Sequence, residues 1–242
     1  MASATLLTIT AGAVARRLAV CGVLVLTLGA TPLAAAEHGM PDAAAEFVQS
    51  VFDRAQRLSA RPGRDPERQR QLVAFVRTGV DLVAIGRFST GPFWKQASEE
   101  DRTQFLGLLE TFVAQTFGRR MGELSGQTLK IVKAVAVAPG NEDSRDMLVS
   151  SHFIGADSRA LGVDWRVRMS DSGPRIVDLV VGGISMAVAQ RDEFITIIRN
   201  GGGTFTALIA KLQEWTAEPD GDVAQKPGMA IPKPAGTKTA KR

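Results

Sequence analysis

Two histidines, one cysteine and no tyrosine are most of what this 242-residue chain offers for proton transfer or nucleophilic attack. Cys21 lies in an N-terminal apolar segment, so a chain cleaved beyond it keeps no thiol and forms no disulfide. His38 falls just after the expected cleavage point. His152 lies in an alternating stretch, where Asp164 or Asp178 on neighbouring strands could orient it as a general base. Its alternation with Met147 and Phe153 reads more simply as an outward-facing strand histidine. No spacing meets a zinc or calcium template. Gly201-Gly202-Gly203 precedes a helical pattern and could offer backbone amides to a phosphate. It lacks the preceding strand and the lysine of a P-loop, so a helix ending at Asn200-Gly201 and turning into the next is the simpler reading.

The elements that would position these residues follow from apolar spacing. Ala44, Phe47, Val48, Val51, Phe52, Ala55 and Leu58 recur at threes and fours, predicting a helix over 42–58. Asp65-Pro66-Glu67 supplies a cap, a first-turn proline and an early acid for a second helix, with Leu72, Phe75, Val76 and Val80 on its apolar side. Asp81 can cap a short third helix, and Gly91-Pro92 breaks the chain. Ser98-Glu99-Glu100-Asp101 resembles a capping box opening a long helix, with Phe105, Leu108, Leu109, Phe112, Val113 and Phe117 along one side. After about residue 126 the period falls to two. Leu129, Ile131, Val135 and Val137 mark one strand, Met147, Val149 and Phe153 the next, and Val163, Trp165, Val167 and Met169 a third. In that third strand Trp165 and Val167 should face inward and Arg166 and Arg168 outward. A turn at 171–174 leads to a fourth strand over 176–181, and helices over 187–199 and 204–215 close the chain. Short connections imply an antiparallel meander, and the whole an α+β fold whose sheet gives one face to helices.

Charge narrows the function classes. The formal net charge is +4, but residues 1–36 carry two arginines and no acid, and residues 217–242 carry five Lys/Arg against three Asp/Glu. The body between is balanced at 22 of each, which removes most of the case for a nucleic-acid binder. Arg16-Arg17, an apolar run from Leu18 to Ala30 and Ala34-Ala35-Ala36 read as a cleaved signal peptide over 1–36, since 13 apolar residues are too few to span a bilayer. Cys21 precedes most of that run, which disfavours lipidation. Residues 217–242, with four of the eleven prolines and no aromatic, read as a disordered tail whose lysines are solvated rather than lipid-bound. The folded unit is therefore 37–216, and the expected compartment is the periplasm.

The abundant signal in that unit is apolar, with ordinary core packing as its default explanation. Particular blocks add to it: Val80-Asp81-Leu82 through Ile85-Gly86-Arg87-Phe88, and Phe93-Trp94-Lys95-Gln96-Ala97-Ser98-Glu99-Glu100 with Phe105 and Phe117-Gly118 downstream. Further on stand Val163-Asp164-Trp165-Arg166, Ile176-Val177-Asp178, Gly183-Ile184-Ser185-Met186, and Arg191-Asp192-Glu193-Phe194 leading to Gly203 and Leu208. With these blocks the chain resembles the MlaC family of periplasmic phospholipid carriers, over about residues 43–215.

The resemblance implies helices packed on a curved antiparallel sheet, of NTF2-like or MlaC-like form, enclosing an apolar cavity for acyl chains. It implies lipid contacts on the helices from Phe88, Phe93, Trp94, Phe105, Leu109, Phe112, Val113 and Phe117. On the strands it implies Val149, Phe153, Trp165, Val167 and Leu179, and beyond them Met186, Phe194 and Ile198. It implies exchange of phospholipid between an inner-membrane ABC transporter complex and an outer-membrane lipoprotein complex, with no cofactor and no catalytic residue. A soluble carrier must supply a dry pocket, because each methylene left in water costs about 0.8 kcal/mol. Phe93, Trp94 and Phe117 stand where relatives commonly carry Tyr, and Gly182 where an acid is common, which makes the pocket oilier and admits the hopanoid-associated branch as an alternative. Two other readings are a periplasmic enzyme using His152 and a structural adaptor that binds a membrane complex without lipid.

Overall fold

The computed structural model describes residues 39–59, 66–123, 126–138, 145–155 and 160–217. The expected signal peptide, His38, the Asp65 cap and the tail beyond Ala217 lie outside the described residues. The helices come first: α1 (Met40–Ser59), α2 (Pro66–Gly79), α3 (Leu82–Thr90), the single turn α4 (Phe93–Gln96) and α5 (Glu99–Glu123). The strands β1 (Thr128–Ala136), β2 (Asp146–Ile154), β3 (Ala160–Ser170), β4 (Gly173–Val181) and β5 (Ile184–Ser185) follow, then α6 (Met186–Asn200) and α7 (Phe205–Ala217). The fold is α+β, with one open sheet in the order β1-β2-β3-β4-β5, antiparallel throughout.

Local chemistry explains most boundaries. Asp81 caps α3, accepting from the Ala84 amide at 2.9 Å, and Ser98 Oγ accepts from the Asp101 amide at 3.0 Å to start α5. Ser185 does the same for α6 through Val188, and Asp178 reinforces it by accepting from the Ala187 amide at 2.9 Å. The glycine triplet is the helix junction expected of it. The Gly203 amide reaches the Ile198 carbonyl at 2.8 Å, Gly202 and Gly203 have φ of +76° and +78°, and a Cβ on Gly201 would lie 2.2 Å from that of Ala207. Only glycine lets α6 and α7 approach so closely here.

Two departures from simple periodicity shape the site. A bulge between Ile131 and Lys133 advances β1 by one residue, so Leu129 and Ile131 face the helices and then Ala134 and Ala136 do. Val135 and Val137, expected inward by strict alternation, are exposed. In α5, the apolar residues do not form one side. From Phe105 to Phe117 is twelve residues, which at 3.6 per turn rotates the stripe by about 120°. Phe105, Leu109 and Phe112 therefore pack on one side and Ala114 and Phe117 on another.

On the outer face of the sheet, Asp146 is buried beneath two arginines. Arg168 Nε donates to Oδ1 at 2.8 Å and Arg166 Nε to Oδ2 at 3.0 Å. Burial by itself raises the Asp146 carboxyl, but these charge-assisted bonds outweigh it and hold it below the ordinary aspartate range. A depressed carboxyl stabilises the fold at neutral pH and loses that contribution as pH falls from the unfolded value towards the folded one. Asp146→Asn is therefore expected to lower stability by about 1–3 kcal/mol at pH 7. The difference from wild type should shrink below pH about 4 in urea unfolding across pH. A pH-independent difference would mean that the carboxylate charge is immaterial.

Candidate functional site

The apolar interior is two clusters separated by α5. The first lies between the sheet and α1, α2 and one side of α5. Met147, Val149 and Phe153 of β2, Val163, Trp165 and Val167 of β3, and Ile176 and Val181 of β4 project into it. Facing them are Val48 and Phe52 of α1 and Leu72, Phe75 and Val76 of α2. Phe153 stacks on Phe52 at 5.4 Å and meets Trp165 edge-on at 6.1 Å, while Phe75 stacks on Phe117 at 4.8 Å. The buried polar pair inside is closed on itself: Trp165 Nε1 donates to Ser151 Oγ at 2.9 Å, and that hydroxyl donates to the Val163 carbonyl at 2.8 Å. Phe47, Leu82, Val113, Phe117, Leu161 and Leu179 line its partly buried margin.

The second cluster joins α5 to α6 and α7. Phe105 is its hub, meeting Trp94, Phe194 and Phe205 edge-on with centroids 6.3, 5.9 and 5.3 Å apart, and Phe112 stacks on Trp215 at 5.5 Å. Leu109, Ile198, Leu208 and Leu212 fill the spaces between. Leu82 and Val113 touch both clusters.

The expected lipid contacts are thus distributed. Val149, Phe153, Trp165 and Val167 are in the sheet cluster, with Phe117 and Leu179 at its margin. Phe105, Leu109, Phe112, Phe194 and Ile198 are in the helical cluster, with Phe93 and Trp94 beside them, and Val113 stands between. Phe88 belongs to neither: it is 44% exposed, its ring under the Arg191 guanidinium at 5.2 Å. Met186 is half-buried and also outside both. Trp165 and Val167 point inward and Arg166 and Arg168 outward, as alternation requires.

The elements do not bring His152 to a carboxylate. Its register partners are Lys130 and Gly162, and its side chain is exposed on the outer face. Asp178 is occupied by Ser185 Oγ, which donates to Oδ2 at 2.5 Å, and by the Leu179 and Ala187 amides. Among the described residues, no group of three or more His, Cys, Asp or Glu could hold a metal, and no helix is long and apolar enough to cross a membrane. Sequence reasoning passed over Gln190, which is buried on α6 although polar. A glutamine four residues from both Met186 and Phe194 occupies a core position of that helix, and this spacing was its signal.

What the geometry defines is an α+β protein with an apolar interior divided by a helix. The model of the MlaC protein family matches residues 45–214, which is most of the chain, and the chain belongs to that family. Its fold is similar to that of a phospholipid-binding protein from Ralstonia solanacearum, solved in complex with a phospholipid. The TM-score is 0.60 at 18% identity, over 74% of this chain and 98% of that one. At that identity the likeness establishes the fold.

Proposed function

We propose that this protein is a periplasmic carrier of phospholipid, exported by cleavage of residues 1–36. In this reading it passes lipid between an inner-membrane ABC transporter complex and an outer-membrane lipoprotein complex. The observation that carries it is the family match over nearly the whole described fold, joined to the apolar layer between sheet and helices. We place the acyl chains in the sheet cluster. That layer is a sheet face against helices, tied by a backbone bond only at the α2–α3 junction, where the Asp81 amide donates to the Ile176 carbonyl at 2.9 Å, and elsewhere held by side chains, so α1 and the body of α2 can part from it to admit chains. The helical cluster, knit by linked aromatic rings, is the stiffer backing. Burial of an acyl chain is then favourable by about 0.8 kcal/mol per methylene. Transfer requires no energy source in this chain.

Native mass spectrometry of the exported protein tests the reading, with a mass excess matching one or more phospholipids expected. Donor vesicles carrying a fluorescent phospholipid should pass it to acceptors faster when the protein is present. Protein that always emerges lipid-free and accelerates no transfer would end the proposal. A polycyclic lipid in place of phospholipid in the same spectrum would assign the chain to the hopanoid-associated branch.

A further inference from the structure

Gln190, Phe194 and Ile198 recur every four residues and are the buried residues of α6. Phe194 and Ile198 are in the helical cluster. The other end of α6 is tethered to β4, where Asp178 accepts from the Ala187 amide. Gln190 therefore stands between the tether to the sheet and the aromatic cluster. The helix packs there on α3, whose Leu82 touches both apolar clusters.

Gln190 is 2% exposed, and among the described residues neither its Nε2 nor its Oε1 has a hydrogen-bond partner. Buried polar groups are almost always paired, and a leucine or methionine at this position would spare the fold an uncompensated desolvation. The other buried atoms of this kind are Gln115 Oε1 and Thr116 Oγ1 on α5. Gln115 still donates through its other end to the Thr216 carbonyl at 3.1 Å. Gln190 alone among the described residues is a buried amide unpaired at both ends.

The amide is neutral, with two N–H donors and one carbonyl acceptor. The cation next to it in sequence is engaged elsewhere: Arg191 donates from Nη1 to the Phe88 carbonyl and lies over the Phe88 ring. This is a poor setting for a phosphate and a suitable one for an uncharged acceptor. Resting on the lipid-carrier reading, we propose that Gln190 donates from Nε2 to an acyl ester carbonyl of the bound lipid. That carbonyl lies where apolar chain meets polar headgroup, and a buried amide on α6 between the β4 tether and the aromatic cluster matches it. Oε1 is left to accept from a hydroxyl or water arriving with the lipid.

The test uses the full mature chain, stripped of lipid, and two probes with the same phosphoglycerol headgroup and chain length. One probe is ester-linked and the other ether-linked, because an ether oxygen is a much weaker acceptor than an ester carbonyl. Wild type is expected to bind the ester lipid about five- to tenfold more tightly, the worth of one buried hydrogen bond. Gln190→Leu and Gln190→Met are expected to abolish the preference while being no less heat-stable than wild type when lipid-free. Equal binding of both probes by wild type overturns the assignment without needing any variant to fold. A preference retained by a folded Gln190→Met protein overturns it too. Wild type that binds neither probe instead defeats the carrier reading on which the assignment rests.

Discussion

Val167→Trp is expected to yield a folded protein that has lost most of its co-purified lipid, whereas Leu109→Trp is expected to lose stability and keep its lipid load per folded molecule. Both side chains are fully buried, so burial does not distinguish them. Their surroundings do. Val167 projects from β3 into the layer between sheet and helices, where an indole would occupy volume intended for chain methylenes. Leu109 lies in the helical cluster with the linked rings of Phe105, Phe112, Phe194 and Trp215. Overpacking such a core costs about 1–3 kcal/mol. Lipid extraction with thermal denaturation of each variant checks the pair. If Val167→Trp is destabilised and its lipid content is unchanged, the sheet cluster is ordinary core and the chains lie elsewhere.

The largest loss of stability is expected from Phe105→Ala. Its ring is shared among Trp94, Phe194 and Phe205 and so joins α4, α5, α6 and α7. On α3 the ring is faced by Gly86, where a Cβ would lie 3.0 Å from it, so that position offers no side chain to fill the space. Removing a buried phenyl from such a site costs about 3–5 kcal/mol, against about 5–15 kcal/mol for a whole domain. Urea unfolding of the purified variant measures it. A loss under about 1 kcal/mol would show that the cluster collapses easily and is not the stiff backing assigned to it.

The order of elements and most of their caps were legible because they are written in short-range chemistry. Asp81, Ser98 and the Gly201–Gly203 junction act on residues three to five positions away, and the apolar spacing of α1 and β3 matches a single buried face. Long-range geometry was not legible. The extra residue in β1 leaves no compositional mark, so Val135 and Val137 read as a continuation of Leu129 and Ile131 although the bulge turns them outward. The stripe on α5 looks single until its rotation over three turns is set against two different partners. For the same reason the expected lipid contacts read as one chamber while the fold divides them between two clusters. Gln190 was overlooked because an amide in a charged neighbourhood of sequence reads as surface, which masks the four-residue spacing from Phe194 that marks its buried position.

The bulge in β1 also bears on association between copies of the chain through the sheet edge. β1 is the first strand of the sheet, and among the described residues its far side pairs with no strand, leaving Val132, Val135 and Val137 exposed along it. A flat edge of that composition would template the addition of a second chain, strand upon strand. Here the extra residue twists the edge away from regular pairing, and Lys130 and Lys133, both exposed, bring charge to the outer face before and after the bulge. Straightening β1 by deleting Val132 would rebuild the regular alternation and, with it, a surface prone to fibrillar self-association.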